Sequence, residues 1–187
     1  LGHYERFTGI HTTRNNSIEE AKFEVCNQKW SDLSETHYGI ALLNDCKYGM
    51  SALGGEMALT LMKGGSRPDP KTDIGVHTMR YALLPHLGAF SAENVVRPAY
   101  EFNCLHRVFA GGLTAPRLFE ISDPGIICEA AKPAEDIEGA FVLRLYECER
   151  NHTSTVLRLY GCKKASLVNI LEETICPIEL NENGECR

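Results

Sequence analysis

Residues 23–49, FEVCNQKWSDLSETHYGIALLNDCKYG, combine two strand patterns with the single tryptophan of the chain, Trp30. Positions 21–25 alternate apolar and charged residues, which is the period-two pattern of a half-buried strand. The apolar run at 38–43 is long enough to form a central strand that is covered on both faces. The stretch therefore predicts that a β-sheet is the basis of the fold.

A polar cluster follows this run and ends at Gly49, which gives the backbone the freedom to turn. Polar groups held at a strand end can meet a ligand in a fixed geometry. We therefore predict Asn44, Asp45, Lys47 and Tyr48 as candidate ligand-binding residues. Asp45 is the best candidate for a functional carboxylate. An aspartate at this place also commonly accepts backbone hydrogen bonds that close a turn, and both interpretations stay open.

The residues after this cluster predict a hairpin and a long surface loop. Residues 51–55 read as a turn, and the apolar residues at 56–62 predict a strand that pairs with 38–43. Residues 64–75 contain three glycines, two prolines and two aspartates, which predicts a loop with a conformation set by turn chemistry.

A strand and a short helix are expected next. Residues 76–84 alternate in a strand pattern, which we expect to end at Pro85 because proline cannot donate to a strand ladder. Ser91 is predicted as the N-cap of a helix at 92–100. Pro98 argues against a long helix, since its ring disrupts the preceding turn.

The glycine- and proline-containing stretch at 106–116 predicts a linker between a domain at 1–105 and a domain at 117–187. Beyond the linker, short strand candidates at nearly even spacing are typical of a small sandwich; they lie at 117–121, 126–130, 141–147, 155–160 and 167–171. Asn183 and Gly184 form a preferred turn pair, but few residues remain for a returning strand. We expect that last strand either to lie beyond the sequence or to pair poorly.

Composition excludes several classes of function. The net charge of −6 and the absence of lysine or arginine runs argue against nucleic-acid binding. No stretch approaches the ~20 apolar residues that a membrane helix needs. None of the eight cysteines lies within three residues of another, and the seven histidines lack HxH or HxxxH spacing, so we predict no metal site within this chain. Phosphate-loop and serine-hydrolase motifs are also absent. We predict reduced cysteines in the cytoplasm.

The remaining acidic and aromatic candidates have plain structural interpretations. Asp69 and Asp73 are more typical of turn formers than of catalysts. For Asp32 and Glu35 we favour a turn with an exposed acid. Trp30 is either a core anchor or a sugar-stacking platform, and the core is favoured because large aromatics dominate burial.

Several sequence words resemble one known family, the family-38 glycoside hydrolases, in the C-terminal β region of its bacterial and cytosolic branch of retaining α-mannosidases. The resemblance covers about the first hundred residues with specific words and the rest more loosely. The family usually has a proline and a histidine soon after the ER pair, whereas residues 7–11 here read FTGIH. The words are GHYER (2–6), RNNS (14–17), KWSDLSE (29–35), YGIALLNDCKYG (38–49), RPDP (67–70), LLPH (83–86) and RPAYEFN (97–103).

This resemblance implies an all-β fold, in which 1–105 is part of a large mutarotase-like antiparallel β-sandwich (supersandwich) and 117–187 is a smaller C-terminal β-sandwich. It also implies that a separate N-terminal α/β domain carries the nucleophile and a catalytic zinc. The expected reaction is hydrolysis of terminal α-mannosides with retention. The expected partners are that catalytic domain and a mannosyl oligosaccharide, and a homo-oligomer is allowed.

The resemblance thus predicts a chain that is inactive alone and lines one wall of the catalytic pocket. Residues 1–6 read as an extended strand with no start signal, so we also expect the sequence to be a piece of a longer protein. Two alternatives stay open. One is a stand-alone carbohydrate-binding module that stacks sugars on Trp30 and Tyr48. The other is a purely structural domain that docks neighbours or subunits through hydrophobic faces.

Overall fold

The computed structural model describes residues 24–53, 55–104, 106–112 and 116–187. The chain divides into two compact units, one within Tyr4–His106 and one that contains Arg107–Arg187. Antiparallel strands make up almost all of the regular structure in both units, which confirms the all-β prediction. The strand pattern expected at 21–23 lies outside the described residues.

The described part of the first unit contains two antiparallel sheets of three strands, ordered β2-β3-β6 and β1-β4-β5. The central strand of the first sheet is the apolar run predicted from the sequence, extended by one residue to Asn44. The strands are β1 (Val25–Cys26), β2 (Trp30–Ser34), β3 (Tyr38–Asn44), β4 (Gly49–Leu53), β5 (Glu56–Leu59) and β6 (Tyr81–Leu87).

One face of the β2-β3-β6 sheet builds the core of this unit. Ala41 and Leu43 of β3 pack there against the helical segment, and Trp30 packs at the edge of the same cluster. The Trp30 ring stacks on Phe90, with centroids 4.9 Å apart. Trp30 is therefore a core residue, as the sequence favoured. The opposite face is less covered than predicted, because Ile40 remains 40% exposed on β3.

The predicted helix is present and is longer than expected. It begins with a π-helical turn at Ala92–Val96 and continues as α1 at Arg97–Asn103. The Ser91 Oγ accepts a hydrogen bond of 3.1 Å from the Asn94 backbone N–H, which confirms the predicted N-cap. Pro98 does not end the helix, because it lies in the first turn of α1, where a missing N–H is tolerated.

The predicted pairing of 56–62 with 38–43 is wrong. Residues 51–53, which we expected in a turn, belong to β4, and β4 forms the hairpin with β5. The chain reverses at the end of β4, where Gly55 takes a left-handed backbone conformation with φ of 84°. The turn is therefore shorter than the predicted 51–55, and residues 51–53 belong instead to β4, a strand that their sequence did not indicate.

The strand expected at 76–84 is also displaced along the chain. It begins at Tyr81 and continues through Pro85, which lies opposite Ile40 of β3. Among the described residues β6 is an edge strand that pairs with β3 alone, so it tolerates a residue that lacks a backbone N–H. The sequence pattern could not show whether this strand was central or at an edge.

The second unit contains most of the predicted short strands. They pair as β8-β9, as β11-β12 and in the order β13-β10-β7. The last strand, which we expected to lie beyond the sequence or to pair poorly, is described as a short strand of two residues, β13. After the turn at Gly184, β13 pairs with β10, and the pair places Arg158 opposite Glu185. The strands are β7 (Phe119–Ile121), β8 (Ile126–Pro133), β9 (Phe141–Glu147), β10 (Leu157–Leu159), β11 (Ala165–Val168), β12 (Thr174–Ile178) and β13 (Glu185–Cys186).

Candidate functional site

The predicted site residues lie in the connection between β3 and β4, residues 44–48, which we call the 44–48 turn. Asn44 stabilises this turn from the protein interior, since only 1% of the residue is exposed. The Asn44 Nδ2 donates to Asn27 Oδ1 at 3.1 Å, and its Oδ1 accepts from the Lys47 backbone N–H at 2.9 Å. The Asn44 carbonyl accepts from Asn103 Nδ2 at 3.1 Å, which ties the turn to the end of α1.

Asp45 is bound to Arg80, the residue that precedes β6. Its carboxylate accepts from the Arg80 backbone N–H and from Arg80 Nε, each at 3.0 Å. The Asp45 backbone N–H donates to the Arg80 carbonyl at 3.2 Å. Hydrogen bonds from the Cys46 thiol and from Arg80 lower the pKa of Asp45 to about 2. Asp45 therefore accepts a backbone hydrogen bond that closes a turn, which is one of the two interpretations that the sequence left open.

Two cationic side chains link this region to the aromatic residues of α1. The Arg80 guanidinium lies 5.0 Å from the Phe102 ring centroid and donates through Nη2 to the Phe102 carbonyl at 3.2 Å. The Lys29 Nζ lies 4.9 Å from the Tyr100 ring centroid. Both distances are in the range of cation–π contacts. The last turn of α1 is therefore held beside the 44–48 turn.

Lys47 and Tyr48 are the remaining predicted site residues, and both reach solvent, as the partly buried Asp45 also does. Tyr48 is 56% exposed, and Lys47 is half-buried. The Tyr48 carbonyl accepts from the Asn27 backbone N–H at 2.8 Å, so its backbone is fixed while its ring is open to solvent. An exposed phenol and an ammonium group offer an apolar face and hydrogen-bond donors to a polar ligand.

A buried Asp32–His86 pair was missed by the sequence analysis. The His86 Nε2 donates to Asp32 Oδ1 at 2.8 Å, and each side chain is only 5% exposed. The exposed turn predicted for Asp32 is therefore wrong, because Asp32 lies within β2 and not after it. Its carboxylate points to the core face of the sheet, where a charged group is stabilised only with a partner.

Gly39 allows this pair to form across the central strand. His86 lies opposite Gly39 in the register of β3 and β6, and Asp32 lies opposite Ala41 on the other side of β3. A Cβ at Gly39 would approach His86 Nε2 to 2.6 Å, so the imidazole occupies the space that a side chain would fill. No local sequence pattern could indicate this pair, since 54 residues separate Asp32 from His86.

The other acidic candidates behave as the sequence indicated. The Glu35 backbone N–H donates to the Tyr38 carbonyl at 2.9 Å, which closes the turn between β2 and β3, and Glu35 is exposed. Asp69 Oδ1 accepts from the Lys71 backbone N–H at 2.8 Å. Asp73 Oδ2 accepts from the Gly65 backbone N–H at 3.3 Å. The carboxylates of Asp69 and Asp73 thus stabilise the loop, and Glu35 contributes to its turn through the backbone.

The described residues contain neither a metal-binding cluster of side chains nor a helix that could span a membrane. Within 24–53, 55–104, 106–112 and 116–187, no three or more histidine, cysteine, aspartate or glutamate side chains are grouped to hold a metal ion. In the same ranges, no helix combines the length and apolar character needed to cross a bilayer. All eight cysteines are thiols.

Comparison with known proteins gives matches in both units. Residues 2–71 match the "Glycosyl hydrolases family 38 C-terminal domain". Residues 125–186 match the "Glycosyl hydrolases family 38 C-terminal beta sandwich domain".

Individual relatives are also similar over most of the chain. Human alpha-mannosidase 2C1 is 38% identical over 179 residues, which cover 92% of this chain and 17% of that protein. Alpha-mannosidase G of Dictyostelium discoideum is 36% identical over 169 residues, which cover 84% of this chain and 15% of that protein. An alpha-mannosidase of Saccharomyces cerevisiae is 47% identical over 92 residues, or 49% of this chain and 8% of that protein. The chain thus spans about a sixth of the length of the curated relatives that it matches over most of its own length.

Proposed function

This chain belongs to the C-terminal region of glycosyl hydrolase family 38, and from that premise we propose that it is the non-catalytic β region of a retaining α-mannosidase. The longer protein hydrolyses terminal α-mannosides through the paired carboxylates of a separate N-terminal catalytic domain. This chain supports that domain and lines one wall of its pocket. The relatives named alpha-mannosidases and the small share of their length that the chain covers support this proposal.

The observation that carries the supporting role is an exposed apolar surface on the β2-β3-β6 sheet, which we call the outer face. The register of β3 and β6 aligns its residues on one side, with Tyr38 opposite Leu87 and Leu42 opposite Leu83. Leu83 is 69% exposed and Leu87 is 84% exposed. Large contiguous apolar patches on a protein surface mark interaction sites. The exposed members of the outer face are Tyr38, Ile40, Tyr81, Leu83, Pro85 and Leu87.

The outer face also leads to the 44–48 turn. Tyr81, at the start of β6, lies opposite Asn44, the first residue of the turn. A catalytic domain seated on the outer face therefore lies beside the turn. In this proposal Lys47 donates hydrogen bonds to sugar hydroxyls and Tyr48 offers its ring as an apolar surface, while Asn44 and Asp45 orient the turn that carries them.

The catalytic zinc of this proposal is held by the catalytic domain and not by this chain. A catalytic zinc needs three protein ligands and an open coordination position. In the described residues, the Asp32–His86 pair supplies a carboxylate and an imidazole that are already bonded to each other, and no third donor of the metal-binding types is grouped with them. The described residues therefore do not fit the zinc, and we propose that the chain alone does not hydrolyse mannosides.

The remaining parts of the proposal concern partners and compartment. The partners are the N-terminal catalytic domain and a mannosyl oligosaccharide, and a homo-oligomer is allowed. We place the protein in the cytoplasm, a compartment in which cysteines stay reduced. The alternative of a carbohydrate-binding module is less well supported, because Trp30, one of its two expected stacking rings, packs in the core.

The outer face is tested in the full-length protein that contains this sequence. The double variant Leu83→Asp/Leu87→Asp places two charges where the proposal expects a buried contact, so activity on an aryl α-mannoside should fall by about tenfold or more. The control is Val108→Asp, which adds a charge at a residue that is 93% exposed and is not part of the β2-β3-β6 sheet. Wild-type activity in the double variant would contradict the supporting role.

A further inference from the structure

We propose that Arg80 is a positioning residue, which fixes the 44–48 turn so that Lys47 and Tyr48 meet the sugar. The inference rests on the proposed function, since it assigns a role within the same wall of the pocket. Arg80 is not one of the ligand-binding residues suggested by the sequence. Its role follows from the contacts that it makes with two separate elements, the 44–48 turn and the end of α1.

The first contact joins the turn to the start of β6. The Asp45 N–H donates to the Arg80 carbonyl at 3.2 Å, while the Arg80 N–H donates to Asp45 Oδ1 at 3.0 Å. These two bonds close a ring between the residues, and the Arg80 Nε bond to Asp45 Oδ2 at 3.0 Å adds a third. Because Arg80 immediately precedes Tyr81, the turn takes its position from the sheet itself.

The second contact joins the same arginine to the end of α1. The carbonyls of the last helical turn have no partner within a helix, and Arg80 Nη2 satisfies the carbonyl of Phe102. Its guanidinium also lies over the Phe102 ring. Asn103 donates to Ala99 and to Asn44, so the end of α1 and the turn share a second link.

An arginine is needed for this arrangement. One planar guanidinium donates to the carboxylate and to the carbonyl while it stacks on a ring, and a lysine ammonium lacks this geometry. The Arg80 side chain is 44% exposed, so its ion pair with Asp45 is screened and contributes little to global stability. Replacement by lysine should therefore leave the fold intact while the turn loses its fixed position.

The test uses the full-length enzyme and an aryl α-mannoside. For Arg80→Lys we expect KM to rise roughly five- to tenfold with kcat within about twofold, because a displaced wall weakens substrate binding in the ground and transition states alike. Hydrogen exchange at the Lys47 amide, which is bonded to Asn44 Oδ1, should accelerate in the same variant. Asp45→Asn should add nothing to the Arg80→Lys effect on KM, because the two residues act as one unit.

The control is Arg158→Lys, which loosens the Arg158–Glu185 ion pair of the second unit and should leave KM and kcat unchanged. Lys47→Ala and Tyr48→Ala test separately whether the 44–48 turn binds the sugar, which distinguishes that role from the positioning role of Arg80. If they raise KM while Arg80→Lys does not, the positioning role is overturned and the proposed wall stands. If neither raises KM, the wall is overturned as well. If Arg80→Lys and Arg158→Lys lower the melting temperature equally and also raise KM equally, the KM increase reflects lost stability. Arg80 is then a structural residue, and the inference is overturned.

Discussion

Replacing Gly39 by alanine tests the buried Asp32–His86 pair most sharply. The added Cβ would lie 2.4 Å from the Ser34 Cβ and 2.6 Å from His86 Nε2, whereas carbon atoms in contact are normally about 3.5–4.0 Å apart. Relief therefore requires a shift of about 1 Å in one of the flanking strands or the loss of the imidazole position. Either change breaks a contact of the core face.

The expected cost follows from two effects of similar size. Overpacking a well-packed site costs about 1–3 kcal/mol. Leaving buried polar partners without their hydrogen bond costs about 1–3 kcal/mol more. The lower backbone entropy of alanine in the unfolded chain returns about 0.5–1 kcal/mol. We therefore expect Gly39→Ala to lower the free energy of unfolding by about 1–5 kcal/mol, with a central value of about 3 kcal/mol.

Urea denaturation followed by tryptophan fluorescence measures this loss, because the single tryptophan, Trp30, lies on the same sheet. The matched control is Gly75→Ala, since a Cβ at Gly75 meets no atom within 4 Å. The control should change stability by no more than about 0.5 kcal/mol. Equal, small effects of the two substitutions would refute the account of a pair that needs an empty site at Gly39.

The pair and the turn lead to two more predictions. Asp32→Ala should lower the free energy of unfolding by about 1–3 kcal/mol in urea denaturation, because it leaves His86 buried without its partner. The double variant Asp32→Ala/His86→Ala should lose less than the sum of the two single losses. Additive losses would show that the two side chains do not interact. The folded pKa of Asp45, about 2, is below its ordinary value of 3.8, so its contribution to stability is complete above pH 3.8 and is lost as pH falls through about 2. The urea midpoints of the native chain and of Asp45→Asn should therefore converge between pH 5 and pH 2, and a constant difference would contradict the assignment.

The strand β3 was predictable because residues 38–43 form a continuous apolar run of the length of a strand. The helix start at Ser91 was also predictable, since a cap is a local interaction of three residues. The pairing of strands was harder to predict from the sequence. Whether 56–59 pairs with β3 or with β4 depends on the length of the preceding turn, which has two residues where the composition indicated five.

The candidate site was predictable as a place but not as a set of roles. A polar cluster at a strand end indicated residues 44–48, and the structure shows a turn there with Lys47 and Tyr48 at its surface. The role of Arg80 depends on a contact across 35 residues, and no local pattern encodes it. Asp32 was predicted as a turn acid because aspartate is typical of turns, yet the partner that permits its burial lies on β6.

We propose above all that this chain supports mannoside hydrolysis by a longer protein and does not perform it alone. The most direct measurement compares aryl α-mannoside hydrolysis, with zinc present, by the isolated chain, by the separately expressed catalytic domain and by the two together. We predict no turnover by the chain, low turnover by the catalytic domain, and a gain of about tenfold or more when the two are combined. Mannoside turnover by the isolated chain, or a catalytic domain that the chain does not stimulate, would contradict the account.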